Sequence, residues 1–365
     1  MSARPPIRVL IVDDSAVVRR ILAAALGQHA DIAVVACARD PYEARERIVE
    51  FAPDVITLDI EMPRMDGLTF LEKLMRAQPS RVVVVSSVAP ASSANAVRAL
   101  ALGAAEVVLK PQDAASLPDV AQQLVRAIRN AAAIPPATLE SLALTESASA
   151  RTPQRDAHEV GGASSRLVAI GASTGGPRAI EQVLCRLPAG SPGTLIVQHM
   201  PARFTNAFAA RLDTVCALRV REAVHGELVR DGVAYVAPGG LHLRVQRDAQ
   251  GFVIQLKDAP PVHHQRPAVD VLFDSVAAAA GRAAVGVLLT GMGADGARGL
   301  LAMRDAGAHT IAQDEETSAV FGMPREAVVM GAAAQVLPLA EIAFAITHSV
   351  HAPHPSHAGA AGVAP

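Results

Sequence analysis

The sequence is poor in aromatic residues and has no large excess of charge of either sign. Tryptophan is absent, aromatic residues make up 3% of the 365 residues, and the formal net charge is -2. Stacking on bases needs aromatic side chains, and binding along a phosphate backbone needs a basic surface. The composition therefore argues against a nucleic-acid-binding protein.

Cysteine is also scarce, and long apolar runs are missing. Cys37, Cys185 and Cys216 are an odd number without Cys-x-x-Cys spacing, which argues against a disulfide framework and a thiolate zinc site. Residues 1–8 contain no apolar leader, and charge or glycine interrupts the other apolar runs well short of a bilayer span. We therefore expect a cytoplasmic protein with no membrane insertion, whose cysteines fill the core in a reducing compartment.

Apolar residues are abundant, at 51%, which is enough for two cores. Residues 1–131 and 166–347 each alternate β-branched runs with helical stretches, which is typical of doubly wound α/β domains with mainly parallel sheets. Successive strands without a helix over Gly232–Lys257 predict an antiparallel hairpin in the second domain. Residues 132–165 are predicted to be an interdomain linker, and residues 348–365 a disordered tail.

Charged and hydroxyl side chains follow the predicted strands of the first domain. Those strands are Ile7–Val12, Ile32–Ala38, Val55–Leu58, Val82–Val85 and Val107–Leu109, and the side chains are Asp13, Asp14, Asp59, Ser86 and Lys110. The carboxyl ends of parallel strands meet at one edge of a sheet, so these groups should converge. Three converging carboxylates repel one another unless a hard cation such as Mg²⁺ lies between them. An aspartate screened in this way can attack a phosphoryl group.

This set resembles the flavodoxin-like receiver domain of two-component response regulators. The resemblance is carried by Asp13-Asp14, by the run Leu58–Gly67, by Ser86-Ser87 and by Lys110-Pro111. It implies that Asp59 accepts the phosphoryl group, that Asp13, Asp14 and Asp59 hold Mg²⁺ with the Glu61 carbonyl, and that Ser86 and Lys110 contact the phosphoryl group. Val107 stands where the family often has an aromatic residue, which leaves the switch route open.

A turn of small residues, Gly171–Gly176, separates a predicted strand from a predicted helix in the second domain. Such a turn can expose Ser173 as a nucleophile, with the helix amino terminus available to stabilise an oxyanion. A phosphate-binding loop is the alternative, although the glycine of the dinucleotide fingerprint and the P-loop lysine are both missing. The turn alone leaves both interpretations open.

A serine nucleophile needs an imidazole and usually a carboxylate beside it. His199 directly follows the run Thr194–Gln198, and Asp295 lies in a glycine-rich turn after Val285–Leu289, so both should reach the edge where Ser173 lies. Histidines 225, 242, 263, 264 and 309 lie in or beside turns, in a loop or at a strand start, and we expect them to be solvated or structural.

These motifs are similar to the catalytic domain of the chemotaxis protein-glutamate methylesterase family, CheB. The matching runs are Ile170–Pro177, Gln198–Pro201 and Leu289–Gly296. The resemblance implies that Ser173 is the nucleophile, His199 the general base and Asp295 its orienting partner, with Thr174 and Met292 shaping the site. No catalytic metal is expected in this domain.

The resemblance also implies the partners and the regulation. The substrates are glutamate methyl esters and glutamines of chemoreceptors, the phosphodonor is the chemotaxis histidine kinase, and the unphosphorylated receiver limits access to the esterase site. Two alternatives remain at this stage. One is a receiver-controlled serine hydrolase for another ester or amide; the other is a regulator whose output domain binds DNA or protein, for which no helix-turn-helix or basic stripe is present.

Overall fold

The computed structural model describes residues 5–87, 89–111, 117–139 and 161–351. In these ranges the chain forms two α/β units, one on a five-stranded and one on a seven-stranded sheet, with a separate two-stranded hairpin. Every pairing in the two large sheets is parallel, and the hairpin is antiparallel. The predicted fold class is therefore confirmed.

The first unit has strand order β2-β1-β3-β4-β5. Its strands are β1 (Ile7–Val12), β2 (Ile32–Ala38), β3 (Val55–Asp59), β4 (Val82–Ser86) and β5 (Glu106–Leu109), and its helices are α1 (Ala16–Leu26), α2 (Pro41–Phe51), α3 (Gly67–Ala77), α4 (Pro90–Ala101) and α5 (Leu117–Ala132). Ser15, Asp40 and Asp66 cap α1, α2 and α3 by accepting hydrogen bonds from N–H groups of the first turn. These caps fix where each helix leaves the sheet edge.

The second unit has strand order β14-β13-β12-β6-β7-β9-β8, so the adjacent strands β12, β6 and β7 lie near its centre. Its strands are β6 (Leu167–Ala172), β7 (Gly193–Gln198), β8 (Arg219–Glu222), β9 (Val233–Val236), β10 (His242–Arg247), β11 (Phe252–Lys257), β12 (Ala284–Leu288), β13 (His309–Gln313) and β14 (Gln335–Leu337). Its helices are α6 (Gly176–Leu184), α7 (Ala202–Val215), α8 (Val269–Ala280), α9 (Ala297–Asp305), α10 (Met323–Val329) and α11 (Leu339–His351), with a short 3₁₀ turn at Gly281–Ala283.

Most predicted strands differ from the observed ones by only one or two residues at their ends. The edge strands β8 and β14 were not predicted, because Arg219–Glu222 is mostly charged and Gln335–Leu337 is only three residues long. Helix α11 also continues through residues 348–351, which were assigned to the tail. Ile342 and Ile346 anchor one face of this helix in the core, and the ring of His348 stacks on Phe344. The other predicted tail residues lie outside the described ranges.

The two units meet through helices and through β5. Helix α4 lies against α6 and α7, and one apolar cluster includes Leu100 of α4 together with Phe204 and Phe208 of α7. This contact brings the β5 edge of the first unit over the carboxyl ends of β6 and β7. Over the described part of the chain, no helix combines the length and apolarity that crossing a membrane requires.

Candidate functional sites

An acidic cluster lies at the carboxyl edge of the first sheet. Asp13 and Asp59 are each 1% exposed, Asp14 is exposed, and carboxylate oxygens of all three lie within 4.8 Å of one another. Strands β1 and β3 are neighbours in the sheet, which is why residues 46 positions apart converge. The predicted acidic residues are therefore brought together.

Lys110 is the cation that this edge supplies. Its Nζ lies 2.6 Å from Asp59 Oδ2 and 2.8 Å from Asp13 Oδ2. Burial raises the pKa of Asp59 to about 6, even though Lys110 acts in the opposite direction. One ammonium balances only one of three carboxylates, so the oxygen ligands and the remaining negative charge suit a hard divalent cation such as Mg²⁺.

Two further residues complete this edge. Ser86 is fully buried at the end of β4, and its hydroxyl donates a hydrogen bond to the Ser87 carbonyl at 3.4 Å. The Glu61 N–H donates to Asp59 Oδ1 at 3.0 Å, while the Glu61 carboxylate accepts hydrogen bonds from the hydroxyls of Ser87 and Ser92. Those two bonds lower the pKa of Glu61. The sequence indicated a role only for the Glu61 carbonyl.

Ser173 lies in a tight turn between β6 and α6. Gly175 has a φ of +75°, and a Cβ at Gly176 would lie 2.1 Å from the Gln198 side-chain oxygen. The positive φ at Gly175 and the small space at Gly176 therefore both favour glycine in this turn. The Ser173 N–H donates to the Thr290 carbonyl at 3.0 Å, and the residue is 8% exposed.

His199 follows β7, the neighbour of β6, and faces the same cavity as Ser173. That cavity has a volume of about 320 Å³. His199 Nε2 lies 2.8 Å from Asp295 Oδ2, and the buried Nδ1 has no hydrogen-bond partner among the described residues. Because Nε2 is engaged by the carboxylate, Nδ1 is the ring nitrogen that remains available for a further hydrogen bond.

Asp295 is 2% exposed. It precedes α9 in the chain, but in space its carboxylate lies against the amino terminus of α8. Its Oδ2 accepts the Val269 N–H at 2.8 Å, and its Oδ1 accepts the Asp270 N–H at 2.9 Å. Burial raises the pKa of Asp295. The hydrogen bond and charge of His199, together with these two N–H groups, outweigh that effect, so the pKa of Asp295 lies below its ordinary value. The helix dipole has the same sign of effect. Asp295 is thus held as a carboxylate.

Asp270 is a functional candidate that the sequence analysis missed. It is fully buried, and its Oδ1 accepts the N–H groups of Gly296 and Gly299, at 3.1 and 2.7 Å, at the start of α9. Its Oδ2 lies 3.0 Å from His263 Nε2. Asp295 therefore caps the helix that carries Asp270, and Asp270 caps the helix that follows Asp295. The only sequence signal was an acidic residue in a first helical turn, which is common in ordinary caps.

The first unit supplies part of the cavity wall, including Glu106, Arg126 and Asn130. Glu106 Oε1 accepts hydrogen bonds from Thr174 Oγ1 at 2.5 Å and from Asn130 Nδ2 at 2.7 Å. Thr174, the residue after Ser173, thus contacts the first unit. Met292 is 40% exposed in the turn before Asp295 and is not among the residues that line the cavity, although its backbone follows Gly291, which packs against Ser173.

The other histidines vary in exposure. His242 is 1% exposed and bridges the Pro260 carbonyl and the Ala268 N–H, which is a structural role. The His263 side chain is 46% exposed but reaches the buried Asp270. His264 lines the cavity. Their positions in the sequence predicted that His263 and His264 would be solvated or structural, and gave no sign of these contacts.

The fold and the two sites define a response-regulator-like unit joined to an α/β unit of hydrolase type. The response regulator receiver domain model matches residues 9–122, and the CheB methylesterase model matches residues 168–346. The chain is 48% identical over 94% of its length, and 99% of the relative, to "Protein-glutamate methylesterase/protein-glutamine glutaminase 2" of Syntrophus aciditrophicus. A relative of the same name from Bordetella avium is 52% identical over 91% of this chain and 94% of its own.

A solved structure, the CheB methylesterase catalytic domain of Thermotoga maritima, is 38% identical and covers 50% of this chain and 97% of its own, with a TM-score of 0.49. The identity and coverage of the full-length relatives decide the assignment. The chain belongs to the protein-glutamate methylesterase/protein-glutamine glutaminase family, CheB.

Proposed function

We propose that this chain is a phosphorylation-activated, cytoplasmic enzyme that hydrolyses glutamate γ-methyl esters of chemoreceptors and deamidates receptor glutamines. The observation that carries the proposal is the arrangement of His199, which is bonded to Asp295 through Nε2 and keeps a free Nδ1 in the cavity of Ser173. Family membership selects the ester among the possible acyl substrates.

In the proposed reaction, Ser173 Oγ attacks the side-chain carbonyl while His199 Nδ1 takes the serine proton. The same nitrogen then gives this proton to departing methanol, or to ammonia in deamidation. Water attacks the acyl-enzyme with His199 again as the base and releases the glutamate. Asp295 holds the Nε2–H tautomer and stabilises the imidazolium.

Backbone N–H groups beside Ser173 are the proposed oxyanion donors. The N–H groups of Ser173 and Gly291 already donate to the carbonyls of Thr290 and Val320. Those of Thr174 and Met292 have no acceptor in the described ranges, so they are the better candidates. A donor of this kind stabilises the transition state by about 3 kcal/mol.

The first unit is the proposed control element. Asp59 would be phosphorylated by the chemotaxis histidine kinase, with Ser86 and Lys110 meeting the phosphoryl oxygens. Asp13, Asp14 and Asp59, with the Glu61 carbonyl, would hold Mg²⁺, which when bound neutralises the charge on the acidic cluster and the phosphoryl group. We propose residues 1–131 as the receiver, 132–165 as the linker and 166–347 as the methylesterase domain, which the last helix extends to residue 351.

The hydrogen bond from Thr174 to Glu106 is the proposed inhibitory contact. Glu106 begins β5, the strand that ends beside Lys110, so a shift of β5 upon phosphorylation would reach Thr174 directly. The adjacent Ser173 is 8% exposed in this arrangement, which limits access by a receptor side chain. The interface between the two units would thus have a closed and an open state, and the charge added at Asp59 would favour the open one. This would couple phosphorylation to access to Ser173.

Replacing Glu106 with alanine should raise the activity of the unphosphorylated protein several-fold. The variant loses the acceptor for Thr174 and Asn130, so the interface opens more often. Initial rates of methanol release without phosphodonor measure this, with Glu46→Ala on the exposed face of α2 as the control. An unchanged basal rate in Glu106→Ala would contradict the contact's inhibitory role.

Methanol release from methylated receptor membranes, with and without a small phosphodonor and Mg²⁺, tests the whole proposal. We expect the phosphodonor to stimulate the wild-type protein and to leave Asp59→Asn at its basal rate, because the amide cannot form an acyl phosphate. Equal stimulation of both proteins would contradict control through Asp59. A folded, phosphorylated wild-type protein that releases no methanol from any receptor would overturn the methylesterase assignment and leave a hydrolase for another ester.

A further inference from the structure

Two of the three cysteines are neighbours in the fold although they are 31 residues apart in the chain. Cys185 Sγ and Cys216 Sγ lie 3.5 Å apart, and neither residue is in a disulfide. Cys185 directly follows the last residue of α6, and Cys216 directly follows the last residue of α7. The number and spacing of the cysteines argue against a disulfide framework, but neither feature predicts this proximity.

The two thiols differ in exposure in a way that gives each a distinct role. Cys216 is fully buried, whereas Cys185 is partly exposed and can meet a small solute. The hydrogen bond from the Cys216 thiol is the main cause of a lowered pKa of Cys185; burial and Glu181 oppose it, and the charges of Arg211 and Arg186 assist it. Cys37 of β2 is the opposite case, since burial raises the pKa of its thiol.

We propose that Cys185 and Cys216 form a peroxide-sensitive, reversible disulfide site. The Cys185 thiolate attacks one peroxide oxygen, the O–O bond breaks, and the products are a sulfenic acid on Cys185 and a hydroxide that takes up a proton to become water. The Cys216 sulfur then attacks the Cys185 sulfur, losing its thiol proton to the departing hydroxyl, which leaves as the second water. Two thiols are oxidised and one peroxide is reduced to two waters.

The bond would tie together the far ends of the two helices that begin just after Ser173 and His199. Helices α6 and α7 are also the elements that meet α4 of the first unit. A link closing a loop of this length restricts the unfolded chain, so the oxidised protein should unfold at a temperature higher by about 5 °C or more. This inference does not depend on the proposed esterase activity.

The test uses the full-length Cys37→Ser protein, in which only the pair remains, treated with a small excess of hydrogen peroxide. We expect a mass loss of two hydrogens, a peptide joining Cys185 to Cys216, a raised unfolding temperature, and reversal of all three by dithiothreitol. Cys185→Ser and Cys216→Ser in the same background should not show the mass loss; circular dichroism checks that each is folded.

Two results would overturn the site. One is the gain of two or three oxygens on Cys185 without the crosslinked peptide, because it would show that Cys216 cannot reach the sulfenic acid. The other is a disulfide between two chains as the main product, since it would show that Cys185 meets another molecule sooner than its neighbour. Reaction of the Cys216→Ser protein to a stable sulfenic acid on Cys185 would support the assigned order of attack.

Discussion

Replacing Ser173 with alanine is expected to lower kcat for methanol release by about 10⁴- to 10⁶-fold, to a rate that the phosphodonor no longer raises. The Ser173 hydroxyl is the only group in the proposed mechanism that forms the acyl bond, and without it the acyl-enzyme route is closed. Residual turnover would come from water held by the remaining donors. Initial rates on methylated receptor membranes measure the effect.

Phosphorylation of Asp59 in the first unit is the control for Ser173→Ala. Ser173 is in the second unit, so phosphorylation of Asp59 by a small phosphodonor should proceed as in the wild-type protein and report that the variant is folded. A fluorophosphonate probe should label the wild-type protein and not the variant. Methanol release at more than a tenth of the wild-type rate in a phosphorylatable Ser173→Ala protein would exclude Ser173 as the nucleophile.

The sheet edges were predictable because parallel strands impose their own geometry. Asp13 and Asp59 converge because β1 and β3 are paired in parallel, and Ser173 and His199 converge because β6 and β7 are. Each of these residues directly follows or ends a strand with a recognisable apolar pattern. Pattern and topology together therefore predicted which residues meet at each sheet edge.

The features that were not predicted depend on pairs of residues that do not lie on neighbouring strands. Glu106 and Thr174 are 68 residues apart and belong to different units, and Cys185 and Cys216 meet at helix ends. Asp270 looks like an ordinary first-turn acid until the start of α9 is placed against it. Contacts of this kind are set by how helices and units dock, for which a single sequence carries no periodic signal.

Replacing Asp295 with asparagine is expected to lower kcat by about 10⁴-fold with little change in KM. The carboxylate accepts from His199, Val269 and Asp270 at once. An amide has one oxygen, so its NH₂ group must face either His199 or a helix N–H donor. With the NH₂ group toward His199, the Nε2–H tautomer that leaves Nδ1 free as the base is disfavoured. With the NH₂ group toward the helix, a buried N–H loses its acceptor, and in both cases the negative charge that stabilises the imidazolium is lost. Initial rates at saturating substrate measure the loss of kcat, with the rate of Ser173→Ala as the lower reference.

Asp270 separates the effect of charge from that of geometry at this carboxylate pair. Asp270→Asn can still present an oxygen to the N–H groups of Gly296 and Gly299, whereas Asp270→Ala leaves both buried donors without an acceptor. Each lost acceptor costs about 1–3 kcal/mol, and the loop that carries Asp295 is expected to shift. We therefore expect Asp270→Ala to lose about 100-fold in kcat, and Asp270→Asn to lose much less. Equal losses in the two variants would mean that the Asp270 charge, rather than its acceptor geometry, sustains the reaction.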